Sequence, residues 1–301
     1  MTRYVNFRTD DGARIGVETD GGKVHPLRSR DGVPVRTLLD VIEAVPESLT
    51  TDDEPIVVDG ADVLPPVTEL RRNVMCIGKN YREHSAEFAG SGYDATGHTD
   101  DEELIVFTKP ASSVVGPGDA IVIEPTTTAE VDYEGELAIV IGKGGRDIAP
   151  DDTWSHIFGY TIVNDVTARD LQKKHKQWFL GKSLDTFCPM GPVVVTADEF
   201  DARDARIRTW VNDELRQDAS TSMLIHDIPK ILSTISRCVG LLPGDIIATG
   251  TPAGVGIGFT PPRFLADGDV VAVWIDGIGQ LVNGVASSVS EHAISTQGAR
   301  Q

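Results

Sequence analysis

The sequence predicts an α+β fold rich in β-structure, a mixed β-roll closed on itself with a small β-rich domain at its N-terminus. Short apolar runs bounded by Gly or Pro recur along the chain, which is typical of strands. The clearest of these runs lie at residues 137–141, 192–196, 245–249 and 269–275. Few segments have helical spacing, and strand and helix patterns do not alternate regularly, which disfavours a doubly wound parallel sheet.

The small N-terminal domain is predicted at residues 1–70. Asp-Gly and Gly-Gly pairs at 11–12 and 21–22 separate short apolar stretches, a pattern that indicates β-hairpins. Apolar residues at helical spacing predict one short helix at residues 35–44. The Pro pair at 65–66 marks the expected boundary with the second domain.

The larger domain is predicted at residues 71–290 and carries the strongest strand patterns. Its best helical patterns lie at residues 167–177 and 223–236. No internal repeat is visible in the sequence. A polar tail follows at residues 291–301, and we expect this tail to be disordered.

The composition restricts the class of protein and its partners. The chain has 301 residues and a net charge of -19, which would repel nucleic acid and anionic membranes, so we expect neither as a partner. No apolar run is long enough for a membrane helix, and the N-terminus lacks the apolar region of a secretory signal. The three cysteines are widely spaced, which argues against a disulfide framework and favours the cytoplasm. An acidic substrate would need locally fixed positive charge, from a metal, Lys or Arg.

Three acidic residues alternate within residues 129–141, a segment whose second half has the pattern of a buried strand. Side chains two apart on a strand share a face, so Asp132, Glu134 and Glu136 are predicted to point the same way. Such carboxylates repel one another unless protons or a cation intervene, and hard cations prefer oxygen ligands. A solvent-exposed acidic strand face would give the same pattern. Asp165 ends another apolar run, where it is either a third carboxylate ligand or a helix N-cap.

A second candidate site follows the apolar run at residues 74–77. His84 and Glu87 are three residues apart and would be neighbours on a helix. A carboxylate beside an imidazole orients the ring and raises its basicity, which would make His84 a general base. A surface pair has the same spacing, so this pattern alone leaves both interpretations open.

Two lysines, Lys109 and Lys182, lie among apolar residues and glycines. Such a lysine could anchor an anion, or its ammonium group could reach the surface by snorkelling. A Gly-rich segment at residues 244–258 follows a strand pattern but lacks the sequence of a nucleotide phosphate loop. Its backbone amides and threonines could hold a carboxylate.

Together these segments resemble the fumarylacetoacetate hydrolase family, in particular its shorter members, which include acylpyruvate hydrolases. The resemblance covers residues 73–285. It rests on eight motifs in the order typical of the family: CIGKNYREHSAE, FTKPASSVVGPGD, VDYEGELAIVIGK, NDVTARDLQ, WFLGKSLDTFCPMGP, RQDASTSMLIHDI, LLPGDIIATGTPAGVG and GDVVAVWIDGIGQLVN.

The resemblance implies a metal site and a catalytic dyad. In the family, the E-x-E pair and the Asp of the NDxTARD segment bind Mg²⁺ or Mn²⁺, which assigns this role to Glu134, Glu136 and Asp165. The His and Glu of the NYxxHxxE segment form the dyad, which assigns that role to His84 and Glu87.

The resemblance also implies contacts with a small keto-acid substrate. Lys182 and Gln172 would hold and polarise the substrate, with Lys182 in a catalytic role, and Thr251 would lie at the substrate carboxylate. We predict Lys109 as a further substrate-binding residue from its setting. The family fold is a β-rich roll that is usually dimeric, so a homodimer is expected.

The expected reaction is hydrolysis of a C–C bond in a β-diketo acid of the acylpyruvate or fumarylpyruvate type. His84, oriented by Glu87, would deprotonate a water that attacks the distal carbonyl, and the leaving carbanion would be stabilised as a metal-bound enolate. Decarboxylation of oxaloacetate and isomerisation of a 2-hydroxyhepta-2,4-diene-1,7-dioate are alternatives that use the same enolate chemistry. A metal- or ligand-binding protein without catalytic activity is the alternative from a different class.

One stretch departs from the pattern of the family. Residues 88–106 form an acidic, Gly-containing segment that looks long for these proteins. Because the segment directly follows the dyad, we interpret it as a lid that shapes the pocket and the choice of substrate.

Overall fold

The computed structural model describes residues 1–19, 22–91 and 103–288. Most of the acidic stretch that was interpreted as a lid lies outside the described residues, and so does the predicted tail at 291–301. Half of the Gly-Gly turn at 21–22 also lies outside them.

Strands dominate the described part of the chain, and five α-helices lie between them. The strands are β1 (Arg3–Thr9), β2 (Gly12–Thr19), β3 (Lys23–Ser29), β4 (Leu49–Thr51), β5 (Ile56–Val57), β6 (Val74–Gly78), β7 (Ile105–Lys109), β8 (Val114–Val115), β9 (Ile121–Ile123), β10 (Val131–Asp132), β11 (Gly135–Ile141), β12 (Ile157–Asn164), β13 (Thr167–Ala168), β14 (Cys188–Thr196), β15 (Arg206–Val211), β16 (Glu214–Ser220), β17 (Ile246–Ala248), β18 (Val270–Ile275) and β19 (Gly279–Ser287). The helices are α1 (Leu38–Glu43), α2 (Arg82–Ser91), α3 (Arg169–His175), α4 (Phe179–Lys182) and α5 (Ile228–Cys238).

A mixed sheet of 12 strands forms the centre of the molecule, with the order β4-β3-β2-β1-β14-β12-β11-β17-β6-β7 and with β5 and β8 attached to β3 and β14. Its pairs are antiparallel except β17 with β6 and β14 with β8. The N-terminal hairpins are confirmed, and β1 joins them to the rest of the sheet through β14. The β-rich mixed fold is therefore confirmed. The expectation of closure is wrong, because among the described residues β4 and β7 end an open path rather than completing a barrel.

A second sheet of five strands, ordered β16-β15-β18-β19-β9, packs against one face of the first. The two sheets approach closely at Gly135 of β11, where a Cβ atom would lie 2.4 Å from Thr209 Oγ1 and 2.8 Å from Val273 Cγ1. The start of β11 is thereby held against β15 and β18, at the point where the acidic residues of the site lie.

Strand β11 is buried on both of its faces. Leu137 and Ile139 belong to the core cluster shared with the smaller sheet, whereas Ala138 and Val140 belong to the cluster that includes Leu38 of α1. Burial on both sides explains why the sequence reads as a continuous apolar run and not as an alternating one.

The three predicted helices are shorter than the sequence patterns predict, and local capping decides where two of them begin. The helix predicted at 223–236 starts later, since Asp227 accepts a hydrogen bond from the backbone N–H of Lys230 (2.9 Å) as its N-cap. Helix α1 likewise starts after Thr37, which forms a capping box with Asp40. Residues 167–168 belong to strand β13 and not to helix α3. No helix of the described residues is long and apolar enough to cross a membrane.

Candidate active site

The three predicted metal ligands lie together at the adjoining ends of β11 and β12. The antiparallel register places Gly135 opposite Asn164, so that Glu134, Glu136 and Asp165 fall beside one another. The backbone N–H of Asp165 donates to the carbonyl of Glu134 (2.8 Å), and the N–H of Glu134 donates to Asn164 Oδ1 (3.0 Å). The three carboxylates are buried, and one oxygen of each lies within 4.8 Å of the others.

Asp132 does not share this cluster, so the prediction that three carboxylates point from one strand face is wrong. The strand is interrupted between β10 and β11, which breaks the alternation of side chains. Asp132 is fully buried and accepts hydrogen bonds from the backbone N–H groups of Gly256 (2.6 Å) and Ile257 (3.1 Å). It also accepts from Arg169 Nε at 2.9 Å.

Three buried cations balance the charge of the carboxylates. Lys182 Nζ lies 2.8 Å from Glu134 Oε2 and 2.6 Å from Asp165 Oδ2. Arg169 contacts the other oxygen of Glu134 at 2.6 Å, and Lys109 contacts the other oxygen of Asp165 at 2.6 Å. Lys109 is fully buried and also donates to the carbonyl of Val166 (2.9 Å), so its ammonium group lies behind the carboxylates.

The pKa values of the two glutamates of the E-x-E pair are shifted in opposite directions. Burial alone would raise the pKa of Glu134, but the charges of Lys182 and Arg169 outweigh it and hold this pKa below its usual range. Burial raises the pKa of Glu136 well above its usual range, and the charges of Asp165 and Glu134 raise it further. Burial would lower the pKa of Lys182, but Asp165 and Glu134 raise it, so this lysine stays protonated.

This donor set fits a hard divalent cation. Glu134, Glu136 and Asp165 offer only oxygen ligands, which suits Mg²⁺ or Mn²⁺ better than a soft metal. Burial and then the charges of Asp165 and Glu134 raise the pKa of Glu136, and a bound cation would relieve the repulsion among the three carboxylates.

The predicted dyad lies on helix α2. His84 Nδ1 is 3.5 Å from Glu87 Oε2, at the limit of a hydrogen bond, and His84 is buried. The other oxygen of Glu87 accepts the backbone N–H of Gly254 (2.9 Å), which fixes the carboxylate. The ring of Phe88 meets the His84 ring edge to face, with 5.5 Å between the ring centres.

One cavity brings most of these side chains together. Its wall consists of predicted site residues, aromatic rings and Lys79, to which the sequence analysis gave no role. Its lining includes His84, Glu134, Gln172, Lys182, Thr251, Lys79, Phe88, Phe107 and Trp178. The dyad histidine, one metal ligand, Lys182 and two of the three predicted substrate-binding residues therefore face the same space. The lining does not include Glu87, Glu136, Asp165 or Lys109.

Gln172 and Thr251 are both held by neighbouring polar groups. Gln172 Oε1 accepts from Arg169 Nη1 (3.2 Å). Thr251 Oγ1 donates to the carbonyl of Gly135 (3.1 Å) and accepts from Gln217 Nε2 (2.8 Å). The Gly-rich loop is thus tied to the strand that carries the carboxylates.

The sequence gave no role to Arg169 or Lys79, although each is buried at the site, and it placed Asp132 with the metal ligands and not with Arg169. Arg169 lies inside the NDVTARDLQ motif and Lys79 inside CIGKNYREHSAE, so position within a motif was the available signal. The partner of each could not be read from the sequence, because Arg169 and Asp132 are 37 residues apart.

Comparison with known proteins agrees with this fold. Residues 73–286 match the family described as fumarylacetoacetate (FAA) hydrolase, C-terminal. Oxaloacetate tautomerase YisK of Bacillus subtilis is 52% identical over 219 residues, which cover 72% of this chain and 71% of that protein. The structure of a fumarylacetoacetate hydrolase from Exiguobacterium antarcticum has a TM-score of 0.80 and 44% identity, covering 95% of this chain and 100% of that one. That of a 2-hydroxyhepta-2,4-diene-1,7-dioate isomerase from Mycobacterium marinum has a TM-score of 0.76 and 33% identity, covering 96% and 99%.

Proposed function

Because the chain belongs to the fumarylacetoacetate hydrolase family, we propose that it is a divalent-metal-dependent enzyme that interconverts the keto and enol forms of oxaloacetate or a similar 2-oxo diacid. The observation that carries this proposal is that His84 and Lys182, a proton acceptor and a fixed cation, line one cavity with Glu134. The similarity to oxaloacetate tautomerase YisK supports tautomerisation over the hydrolysis expected from the sequence.

The reaction moves one proton from carbon to oxygen. A divalent ion, held by Glu134, Glu136 and Asp165, would withdraw electron density from the 2-oxo group and make the neighbouring C–H more acidic. Nδ1 of His84 faces Glu87, so we assign removal of the C3 proton to its Nε2 atom. Returning that proton to the 2-oxo oxygen completes the enol and regenerates the neutral imidazole.

Lys182 is positioned to stabilise the oxygen that gains charge. Its ammonium group is fixed by Glu134 and Asp165 at 2.8 and 2.6 Å, so no reorganisation is needed when the charge develops. Its raised pKa keeps it charged at neutral pH. Gln172 and Thr251 lie on the same wall and would orient the substrate.

The proposal is tested by the enolisation rate of oxaloacetate, followed by the ultraviolet absorbance of the enol, with Mg²⁺ or Mn²⁺ and with EDTA. We expect EDTA to abolish the rate and His84→Ala to lower it by a factor of ~10²–10⁴. The exposed His175 of α3 provides a matched control, since His175→Ala should leave the rate unchanged. Full activity of His84→Ala would contradict the proposed proton transfer.

C–C hydrolysis stays a second candidate, because one observation favours it. Glu87 is held by the amide of Gly254 and faces His84, an arrangement that suits activation of a water. Acetylpyruvate distinguishes the two reactions: metal-dependent release of pyruvate and acetate would establish hydrolysis. Carbon dioxide released from oxaloacetate would instead show decarboxylation.

We also propose that the protein is a homodimer with domains at residues 1–70 and 71–290. The resemblance to a usually dimeric family supports the first point. Sedimentation equilibrium tests it, and a mass of one chain at micromolar concentration would contradict it. Expression of residues 71–290 alone tests the second point, since an independent domain would unfold cooperatively without the N-terminal strands.

A further inference from the structure

We propose that the indole N–H of Trp178 binds a carboxylate oxygen of the 2-oxo acid, as a neutral hydrogen-bond donor beside Lys182. This inference rests on the proposed function and deepens it, because it assigns a further residue that holds the substrate. Trp178 would act on the affinity for the substrate and not on proton transfer.

The ring nitrogen of Trp178 carries the proposal. Nε1 is buried and has no hydrogen-bond partner within the described residues. An indole N–H can only donate, and a buried tryptophan usually finds an acceptor for it, since an unpaired buried donor lowers stability. Trp178 lines the cavity that also contains His84 and Lys182. A substrate bound in this cavity can therefore supply the acceptor.

The ring of Trp178 is held in a fixed position by its neighbours. Its Cζ3 and Cη2 atoms lie so close to Gly78 that a Cβ atom there would be 2.3 and 2.7 Å from them. The Phe107 ring meets the indole at 72° with 5.2 Å between the ring centres, and the Phe88 ring lies 6.4 Å away. The six-membered ring is thus packed against the end of β6, and the donor belongs to the other ring. A donor that is already fixed loses little conformational entropy when it binds an acceptor.

The chain also places Trp178 next to Lys182. Trp178 directly precedes helix α4, and its carbonyl accepts the backbone N–H of Lys182 at 3.0 Å. Side chains four residues apart in a helical turn lie on the same face. The Phe107 ring is near both of them, since Lys182 Nζ lies 5.0 Å from its centre. One turn of chain therefore presents a charged donor and a neutral donor to the same cavity.

Two other donors on the cavity wall are already engaged. Lys182 Nζ lies within 2.8 Å of two carboxylate oxygens. The hydroxyl of Thr251 donates to the carbonyl of Gly135 at 3.1 Å. The N–H of Trp178 has no such commitment within the described residues. Because hydrogen bonds to an ionised acceptor are stronger than those between neutral groups, a carboxylate is the acceptor that this donor would bind best.

NMR of the indole N–H groups tests the inference directly. The chain has four tryptophans, so protein labelled with ¹⁵N-tryptophan gives four indole signals, and that of Trp178 is identified by its loss in Trp178→Phe. We expect pyruvate, added to the Mg²⁺-loaded protein, to move the Trp178 signal to higher ¹H frequency, as a new hydrogen bond to oxygen does. The signal of Trp274, on β18 of the smaller sheet, should stay in place.

This measurement separates the inference from the proposed function, because it needs no turnover. A shift confined to Trp178 supports the inference even if the wild-type protein does not enolise oxaloacetate. Binding of pyruvate in calorimetry, with the Trp178 signal unmoved, would overturn it even if the enzyme is active. Failure of both pyruvate and oxaloacetate to bind would overturn it as well.

Steady-state kinetics give a second readout. Trp178→Phe keeps an aromatic ring beside Phe107 but removes the donor, so we expect KM for oxaloacetate to rise ~10-fold while kcat changes by less than about 2-fold. Trp154→Phe is the matched control, since the lining of the cavity does not include Trp154. An unchanged KM in a folded Trp178→Phe would overturn the inference. If that variant does not fold, Phe substitutions of Trp154, Trp210 and Trp274 identify the fourth signal by elimination, and the wild-type titration decides.

Discussion

Glu136 is buried, and within the described residues it forms no ion pair with a cation, which gives a prediction with an unusual sign. It accepts one hydrogen bond, from the backbone N–H of Gly250 at 2.8 Å. Glu134 and Asp165 each contact two cationic side chains, whereas no lysine or arginine of the described residues forms an ion pair with Glu136. We therefore predict that Glu136→Gln stabilises the metal-free protein, because Gln resembles the protonated form of the acid.

The pH dependence follows from the raised pKa of Glu136. Its pKa in the folded protein lies well above the ordinary value of 4.5, owing to burial, then to Asp165 and Glu134. The contribution of Glu136 to stability is thus fully present below about pH 4.5 and is lost as the pH rises through the folded-state pKa. Glutamine has no such loss, so the advantage of the variant should grow with pH and reach about 1–3 kcal/mol in mildly alkaline solution.

Adding metal should reverse the order of stability of the wild-type protein and Glu136→Gln. A ligand present at 100 times its Kd stabilises the folded state by about 2.7 kcal/mol. The wild-type protein should gain about this amount from Mn²⁺, whereas Glu136→Gln lacks one charged ligand and should gain less than about 1 kcal/mol. The variant is then more stable in EDTA and less stable in Mn²⁺.

The assay is urea unfolding with EDTA or with Mn²⁺, at about pH 5, 7 and 9. Glu134→Gln is the matched control. Burial would raise the pKa of Glu134, but Lys182 and Arg169 lower it, so this variant removes a carboxylate that the site stabilises in its charged form. It leaves two buried cations short of a partner and should lose about 3–5 kcal/mol in EDTA. If Glu136→Gln loses as much in EDTA as this control does, the charge balance described for the site is wrong.

Further predictions concern the pH dependence of metal binding and the Gly-rich loop. Metal affinity should rise with pH, because the raised pKa of Glu136 means that a cation must displace its proton. Calorimetry in buffers of different ionisation enthalpy measures the number of protons released on metal binding. A value of zero would contradict this prediction. Asp132→Asn should cost about 2–4 kcal/mol in urea unfolding, because the amide cannot replace a carboxylate that accepts from Arg169 and from three backbone N–H groups. A loss under about 0.5 kcal/mol would count against this role. Gly254→Ala should lower stability by about 2–4 kcal/mol and slow turnover, since a Cβ there would lie 1.8 Å from the carbonyl oxygen of Arg216. Gly268→Ala is its control: φ is also positive, at 89°, but nothing lies within 4 Å of the added atom, so a loss of about 1 kcal/mol with normal turnover is expected.

The parts of the site that the sequence predicted depend on short spacings. Glu134 and Glu136 are two residues apart on one chain segment, and His84 and Glu87 are three apart on helix α2, so local geometry decides whether each pair meets. Asp165 was predictable as a strand end, because the apolar run of β12 stops at Asn164. That these pieces come together at one cavity was predictable only through the order of the motifs and the family resemblance.

The contacts that the sequence could not predict join distant segments. Asp132 has the spacing of a third ligand, but the chain leaves the strand at Tyr133, whose hydroxyl donates to the carbonyl of Gly254 at 2.7 Å. This tertiary contact overrides the local alternation and turns Asp132 toward Arg169. Lys109 was predicted to bind substrate from its apolar setting, which indicates burial but does not identify its partner, Asp165.

The Gly-rich loop links the two halves of the site through its backbone amides. Glu136 accepts the amide of Gly250, and Glu87 accepts that of Gly254. One carboxylate of the metal site and the carboxylate of the dyad are therefore attached to the same short stretch of chain. Because each amide can be reached only where the backbone passes close by, a shift of the loop would move Glu87 relative to His84. The position of the proposed base thus depends on the loop as well as on helix α2, and the comparison of Gly254→Ala with its control measures that dependence in turnover as well as in stability.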